Sequence, residues 1–181
     1  MHGLQIWVAL PKALEQSEPS FAHISAEDIP RWEQEGLHFK LIAGEAFGRQ
    51  SPVPVHSPLY FIEIKSTAAA QLDIGHGLFG ESALYILEGH IRSDGNTYEP
   101  QQILVAKDST LCAFEIGADT IVYIFGGEPF PEERFIHWNF VNSDRAVIEQ
   151  AKWDWLEQRF PPVPGETEFV PLPAHSLKPG G

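Results

Sequence analysis

Along most of this chain, apolar and polar positions alternate with the two-residue period of β-strands. The first run is the clearest. Leu4, Ile6, Val8 and Leu10 fall on one face, with Gln5, Trp7 and Ala9 on the other. Pro11 ends the ladder because it has no N–H to donate. The pattern predicts a strand over residues 2–10. Further strand-like runs follow at short spacing over 38–43, 59–65, 71–74, 82–87, 90–93, 96–99, 102–105, 110–116 and 120–125. Asp94-Gly95 suits a tight hairpin, and Gly89 and Gly117 punctuate in the same way. Residues 12–37 read as a polar connection with two short extended pieces, 21–24 and 29–33. Between these pieces, Ser25-Ala26-Glu27-Asp28 suits one capped helical turn. Many short strands with frequent turns predict an all-β sandwich or barrel.

The periodicity changes near the C-terminus. Val147, Ile148, Ala151 and Trp155 recur at helical spacing, which predicts a helix over 144–160 with Ser143 or Asp144 as N-cap. Trp153 points away from that stripe. The prolines of 161–173 forbid a helix there and predict an extended tail. Residues 174–181 are expected to be disordered.

Composition narrows the function class. The 181 residues suffice for one substantial domain. The net charge is −13, from 25 acidic against 12 basic residues. No run of Lys or Arg occurs, which disfavours direct nucleic-acid binding; the acidity is read as solubility. A lone Cys112 forms no intrachain disulfide and suits a cytoplasmic protein. Flanked by Leu111 and Ala113, it reads as an inert buried thiol. No signal peptide or membrane-length apolar run is present.

Four segments carry a family resemblance. His2-Gly3-Leu4-Gln5-Ile6-Trp7-Val8-Ala9-Leu10-Pro11 resembles the segment that closes the N-terminal domain of pirins, which are two-domain cupins. Leu41-Ile42-Ala43-Gly44-Glu45-Ala46-Phe47-Gly48, followed by Ser51-Pro52-Val53, resembles the start of the pirin C-terminal domain. Gly126-Gly127-Glu128-Pro129 and His137-Trp138-Asn139-Phe140-Val141 resemble its later strands. Phe160-Pro161-Pro162-Val163-Pro164-Gly165-Glu166 resembles the tail of bacterial members. The resemblance implies a cupin-type double-stranded β-helix, a jelly-roll barrel, over 38–142. A C-terminal α-helix over 143–160 and a Pro-rich extended tail over 161–181 would follow. Residues 1–11 would be a remnant strand of an N-terminal cupin upstream of His2, and 12–37 a linker. Pirins are iron-binding co-regulators in animals, and some bacterial members are quercetin dioxygenases. In both, the metal belongs to the N-terminal cupin.

A cupin metal site uses an H-x-H, a Glu soon after it and a third His from a later strand. Alternate strand residues share a face, so H-x-H aims both imidazoles into the barrel. Three imidazoles and a carboxylate suit a divalent transition metal. Counting back from Gly89, the Glu position falls on Ser82 and the paired His positions on Leu78 and His76. The later strand, around 110–114, contains no His, and no H-x-H occurs anywhere. A Glu81 ligand would require a one-residue slip that turns the whole strand over. The remaining histidines lack ligand spacing and read as surface or structural residues.

The sequence therefore leaves His76, Glu81 and Tyr85 as ligand-pocket candidates, with no catalytic residue and no metal ligand assigned. No cofactor is expected in this chain; Fe(II) or another divalent metal is expected only in a full-length parent. Two readings stand. One is a non-catalytic cupin with a structural or interaction role. The other is a fragment of a metal-dependent oxygenase of the quercetin 2,3-dioxygenase type, active only in the parent. An unpaired strand 2–10 would recruit a protein partner or a second copy; neither nucleic acid nor membrane is expected as a partner.

Overall fold

The computed structural model describes residues 3–106 and 113–173. The chain divides into two compact units, Glu18–Pro129 and a second made of Met1–Ser17 with Phe130–Gly181.

The first unit is a two-sheet barrel. Its larger sheet contains β1 (Arg31–Gln34), β2 (Leu37–Ala46), β3 (Arg49–Gln50), β4 (Leu59–Ser66), β6 (Glu81–Glu88), β9 (Ile103–Ala106) and β11 (Thr120–Gly127). The strand order is β1-β2-β4-β11-β6-β9, with β3 paired to β2. The smaller sheet runs β5-β10-β7-β8, from β5 (Ala70–Asp73), β7 (Ile91–Ser93), β8 (Asn96–Tyr98) and β10 (Ala113–Ile116). The long strands alternate as two-sided strands must. Tyr60, Ile62 and Ile64 of β4, Leu84 and Ile86 of β6, and Val122 and Ile124 of β11 are buried. They share one core with Leu72, Ile91, Phe114 and Ile116 of the smaller sheet. The result is an antiparallel jelly-roll barrel of the cupin type.

The Asp94-Gly95 hairpin forms as the dipeptide predicts. Ser93 pairs with Asn96, and both central residues have positive φ, 50° and 75°. That is the conformation a two-residue type I′ turn requires, and Gly95 adopts it without a Cβ clash.

Several expectations are corrected. The barrel begins at Arg31, because β1 pairs with β2 from Arg31↔Lys40 to Gln34↔Leu37, so the linker ends sooner than His38. It ends at Gly127, because 135–142 form a separate hairpin. Residues 21–24 enter no strand, while Ser25 begins a turn closed by the Asp28 N–H on its carbonyl at 3.0 Å. The largest correction concerns the opening run: residues 3–10 join no β-ladder. Alternation supplies a face, but a strand also needs a neighbour for its backbone groups.

In the second unit, side chains hold that segment instead. The Leu10 carbonyl accepts from Arg134 Nε and Nη2 at 3.3 and 3.2 Å. After the short 3-10 turn Lys12–Leu14, Glu15 meets Arg134 Nε at 3.0 Å and accepts from the Ser143 N–H and hydroxyl, each at 2.8 Å. The unit also holds the hairpin β12 (Phe135–His137) and β13 (Phe140–Asn142), and helix α1 (Arg145–Leu156). Asp144 caps α1 by accepting from the Ala146 N–H at 2.8 Å. Ile148 is buried, but Val147 is 37% exposed and leaves the predicted stripe. The helix stops four residues before Phe160 in a Schellman closure. Gln158 takes φ 53°, its N–H bonds the Trp155 carbonyl, and the Arg159 N–H bonds the Asp154 carbonyl. Trp155 stacks on Phe169 with centroids 5.5 Å apart and donates to the Val170 carbonyl at 2.9 Å, fastening the tail.

The predictions for His2, for Cys112 and the start of its strand at 110–112, and for the tail beyond Pro173 lie outside the described residues.

Candidate functional site

Strand β6 determines which side chains enter the barrel. Ser82, Leu84 and Ile86 point to the core, and Glu81, Ala83, Tyr85 and Leu87 to the opposite face. Ser82 stands where counting back from Gly89 places a cupin carboxylate ligand. Its hydroxyl is hydrogen-bonded to that of Tyr60, which is 1% exposed and donates to the Glu81 carbonyl at 3.1 Å. Phe79 closes edge-on against Tyr60 at 5.4 Å, and Leu78 packs on the same core. Gly126 makes room for this arrangement: a Cβ there would lie 2.6 Å from the Tyr60 hydroxyl. Burial pushes the Tyr60 phenol up, against the opposing effect of the Ser82 hydrogen bond.

These residues do not fit a cupin metal. The Ser82 hydroxyl, bonded to that of Tyr60, and the apolar Leu78 stand where the count from Gly89 places a carboxylate and an imidazole. Among the described residues, no three His, Cys, Asp or Glu side chains gather closely enough to hold an ion.

The three candidates from the sequence do not converge. His76 is exposed in the turn after β5, and Glu81 is exposed at the start of β6. Glu81 and Tyr85 share the outward face but are four residues apart, about 13 Å along a strand. Tyr85 alone joins a larger arrangement. The register aligns Arg31, Lys40, Glu63, Tyr123, Tyr85 and Ile103 in one lateral row across the outer face of the larger sheet.

Glu63 is the centre of that row and is only 7% exposed. It accepts from the Tyr123 hydroxyl at 2.8 Å and meets Lys40 Nζ at 3.0 Å and Lys65 Nζ at 3.4 Å. Burial pushes the Glu63 carboxyl up, but the Tyr123 and Lys40 hydrogen bonds and the two lysine charges together outweigh it. The group stays below the usual glutamate range. Burial, reinforced by the Glu63 carboxylate and by Glu88, pushes the Tyr123 phenol well up. An ionised carboxylate and a neutral phenol result. The sequence signal was available, since Lys40, Glu63 and Lys65 are polar positions within alternating runs, but only the register brings them together.

The comparisons with known proteins agree with this architecture. Residues 61–161 match the Pirin C-terminal cupin domain. The chain is 41% identical to the pirin-like protein of Caulobacter vibrioides, over 96% of this chain and 60% of that protein. The chain belongs to the pirin family. Human pirin is a more distant member, 28% identical over 85% of this chain and 55% of its own length. Among solved structures, a quercetin 2,3-dioxygenase from Acinetobacter baumannii superposes with a TM-score of 0.80 at 28% identity, covering 93% of this chain and 57% of that one. The chain thus spans between 55% and 60% of the length of these three proteins. Among the described residues, no helix is long and apolar enough to cross a membrane.

Proposed function

We propose that this chain is a non-catalytic cupin of a pirin-type protein, with a structural and interaction role. Ser82 carries the reading, because it stands at the carboxylate-ligand position and its hydroxyl is taken up by that of Tyr60. Metal chemistry in a full-length parent, with Fe(II) or another divalent ion, would belong to a preceding N-terminal cupin. A cytoplasmic location suits the single cysteine.

The interaction role would fall to residues 3–10. Leu4, Ile6, Trp7 and Val8 are between 39% and 55% exposed, and the segment has no ladder partner. Pairing with a protein partner or a second copy would satisfy its backbone groups and cover these side chains. Metal analysis of the purified chain is expected to find no stoichiometric iron, copper or nickel; near-stoichiometric metal would overturn the proposal. Sedimentation of the chain is expected to show self-association that Trp7→Ser weakens, and a monodisperse monomer would remove residues 3–10 from the interaction role.

The likeness to the Acinetobacter baumannii enzyme favours a second reading, in which the chain is the non-metal half of a quercetin 2,3-dioxygenase-type enzyme. Translating the DNA upstream of Met1 tests it. An in-frame H-x-H followed by a Glu and a later His, with quercetin turnover by the extended protein, is the expected result; a stop codon or unrelated sequence overturns it.

A further inference from the structure

The larger sheet ends in two unlike edges. At one end, β1 follows Pro30 and carries Arg31, Glu33 and Gln34, a short charged edge that resists further pairing. At the other end, β9 reads Ile103-Leu104-Val105-Ala106, with no charge and no proline. Ile103 and Val105 are 60% and 69% exposed, and among the described residues β9 pairs only with β6. We propose that β9 is a homodimer edge: it pairs antiparallel with β9 of a second copy, about a two-fold axis through Leu104.

The register makes this edge self-complementary. The Gln102 carbonyl accepts from the Ile86 N–H at 3.1 Å, so by alternation Leu104 and Ala106 also turn their backbone groups to β6. Ile103 and Val105 therefore present two N–H and two C=O groups to the open side. A two-fold axis through Leu104, normal to the sheet, sets Ile103 opposite the second copy's Val105, and Val105 opposite its Ile103. Both become hydrogen-bonded pairs of an antiparallel ladder, and all four groups find partners. The axis keeps both outer faces on one side, so each Ile103 side chain meets a Val105 side chain. A shift by one residue would set each free group against a residue already bonded to β6. The bulge at Gln101-Gln102, where the Gln101 N–H bonds the Ile86 carbonyl at 2.8 Å, marks where pairing can start. The face behind the edge matches it. Val105 continues the row Phe61, Phe125 and Ala83, and Ile103 lies beside Tyr85, whereas Lys40, Glu63 and Lys65 lie toward β1. Two copies of net charge −13 thus meet along a strand without charge.

Sedimentation equilibrium and amide hydrogen exchange of the whole chain carrying Trp7→Ser test this dimer apart from residues 3–10. A reversible monomer–dimer equilibrium is expected. As dimer forms, the Ile103 and Val105 amides should become protected, while the Leu104 amide, bonded to β6, is protected at every concentration. Adding Ile103→Lys places a charge against Val105 of the second copy and should weaken the dimer about tenfold or more. Adding Val105→Pro removes an N–H that the monomer leaves free, so the fold is kept and pairing is lost. Val55→Lys, at an exposed position on the loop before β4, should dimerise as the Trp7→Ser chain does. The proposal is overturned by a monomer at all concentrations, by a dimer that folded Ile103→Lys leaves unchanged, by an equal loss in Val55→Lys, or by Ile103 and Val105 amides that exchange as freely in the dimer as in the monomer. A parent that associates beside a monomeric Trp7→Ser chain would keep the role of residues 3–10 and remove this one. Dimerisation equal in both, with Ile103 and Val105 protected, would do the reverse.

Discussion

Strand β4 carries two chemistries on its two faces. Inward, Tyr60, Ile62 and Ile64 join an apolar core, where the Tyr60 hydroxyl is taken up by Ser82 and the Glu81 carbonyl. Outward, Phe61, Glu63 and Lys65 alternate aromatic and charged groups, and Glu63 draws Lys40, Lys65 and Tyr123 around it. A cupin is expected to carry its chemistry inside the barrel. Among the described residues, the inward side chains of the larger sheet's long strands are mainly apolar packing, and the Glu63 ion pairs stand on the outer surface of the sheet. One strand serves both because neighbouring residues face opposite ways.

The hardest test of the contrast is a cavity on the inner side. Leu84 is fully buried among residues of both sheets, so Leu84→Ala should cost about 2–5 kcal/mol in urea unfolding. A loss below 1 kcal/mol, on the scale of ordinary surface changes, would mean the interior is not the packed side. On the outer side, Glu63→Ala leaves two lysines and the Tyr123 hydroxyl without their acceptor. Because the lysines reach water, the expected cost is smaller, about 1–3 kcal/mol.

Acid titration separates the faces differently. The folded Glu63 carboxyl is held below its unfolded value, so its contribution is full above the unfolded pKa, roughly 4.3, and is lost as pH falls through the lower folded value. The parent should lose stability below about pH 4.5 more steeply than Glu63→Gln. Parallel stability–pH curves for the two proteins would show that the outer network does not hold the carboxylate ionised. The smallest effect belongs to the inner hydroxyl pair: Tyr60→Phe should cost about 1 kcal/mol, from the bonds to the Glu81 carbonyl and Ser82. A cost well above Glu63→Ala would reverse the contrast, making the interior the more polar-dependent face.

Much of the fold was legible because it rests on local rules. Alternation identified β2, β4, β6 and β11, and Asp94-Gly95 specified its hairpin through the positive φ of both residues. The same rule misread residues 3–10, whose alternation is as regular as that of β4. The difference lies in the backbone partners, which come from distant sequence: β4 lies between β2 and β11, whereas the 3–10 segment is held by Arg134 through the Leu10 carbonyl. His76, Glu81 and Tyr85 show the same limit at the candidate site. Counting back from Gly89 put His76 at a ligand position and Glu81 one residue away from another, yet His76 is exposed in a turn and only Tyr85, which the count did not place, joins the Glu63 row.

By itself, the sequence determined a mostly β domain with one helix and, through its motifs, the pirin resemblance that implies a cupin, because periodicity, turn chemistry and residue identity are properties of short segments. Only the tertiary structure decided that Ser82 bonds Tyr60, that Arg31, Lys40, Glu63 and Lys65 meet on one outer face, and that the opening run joins no sheet. Each of these depends on which strands become neighbours and in what register, and register is a relation between segments tens of residues apart.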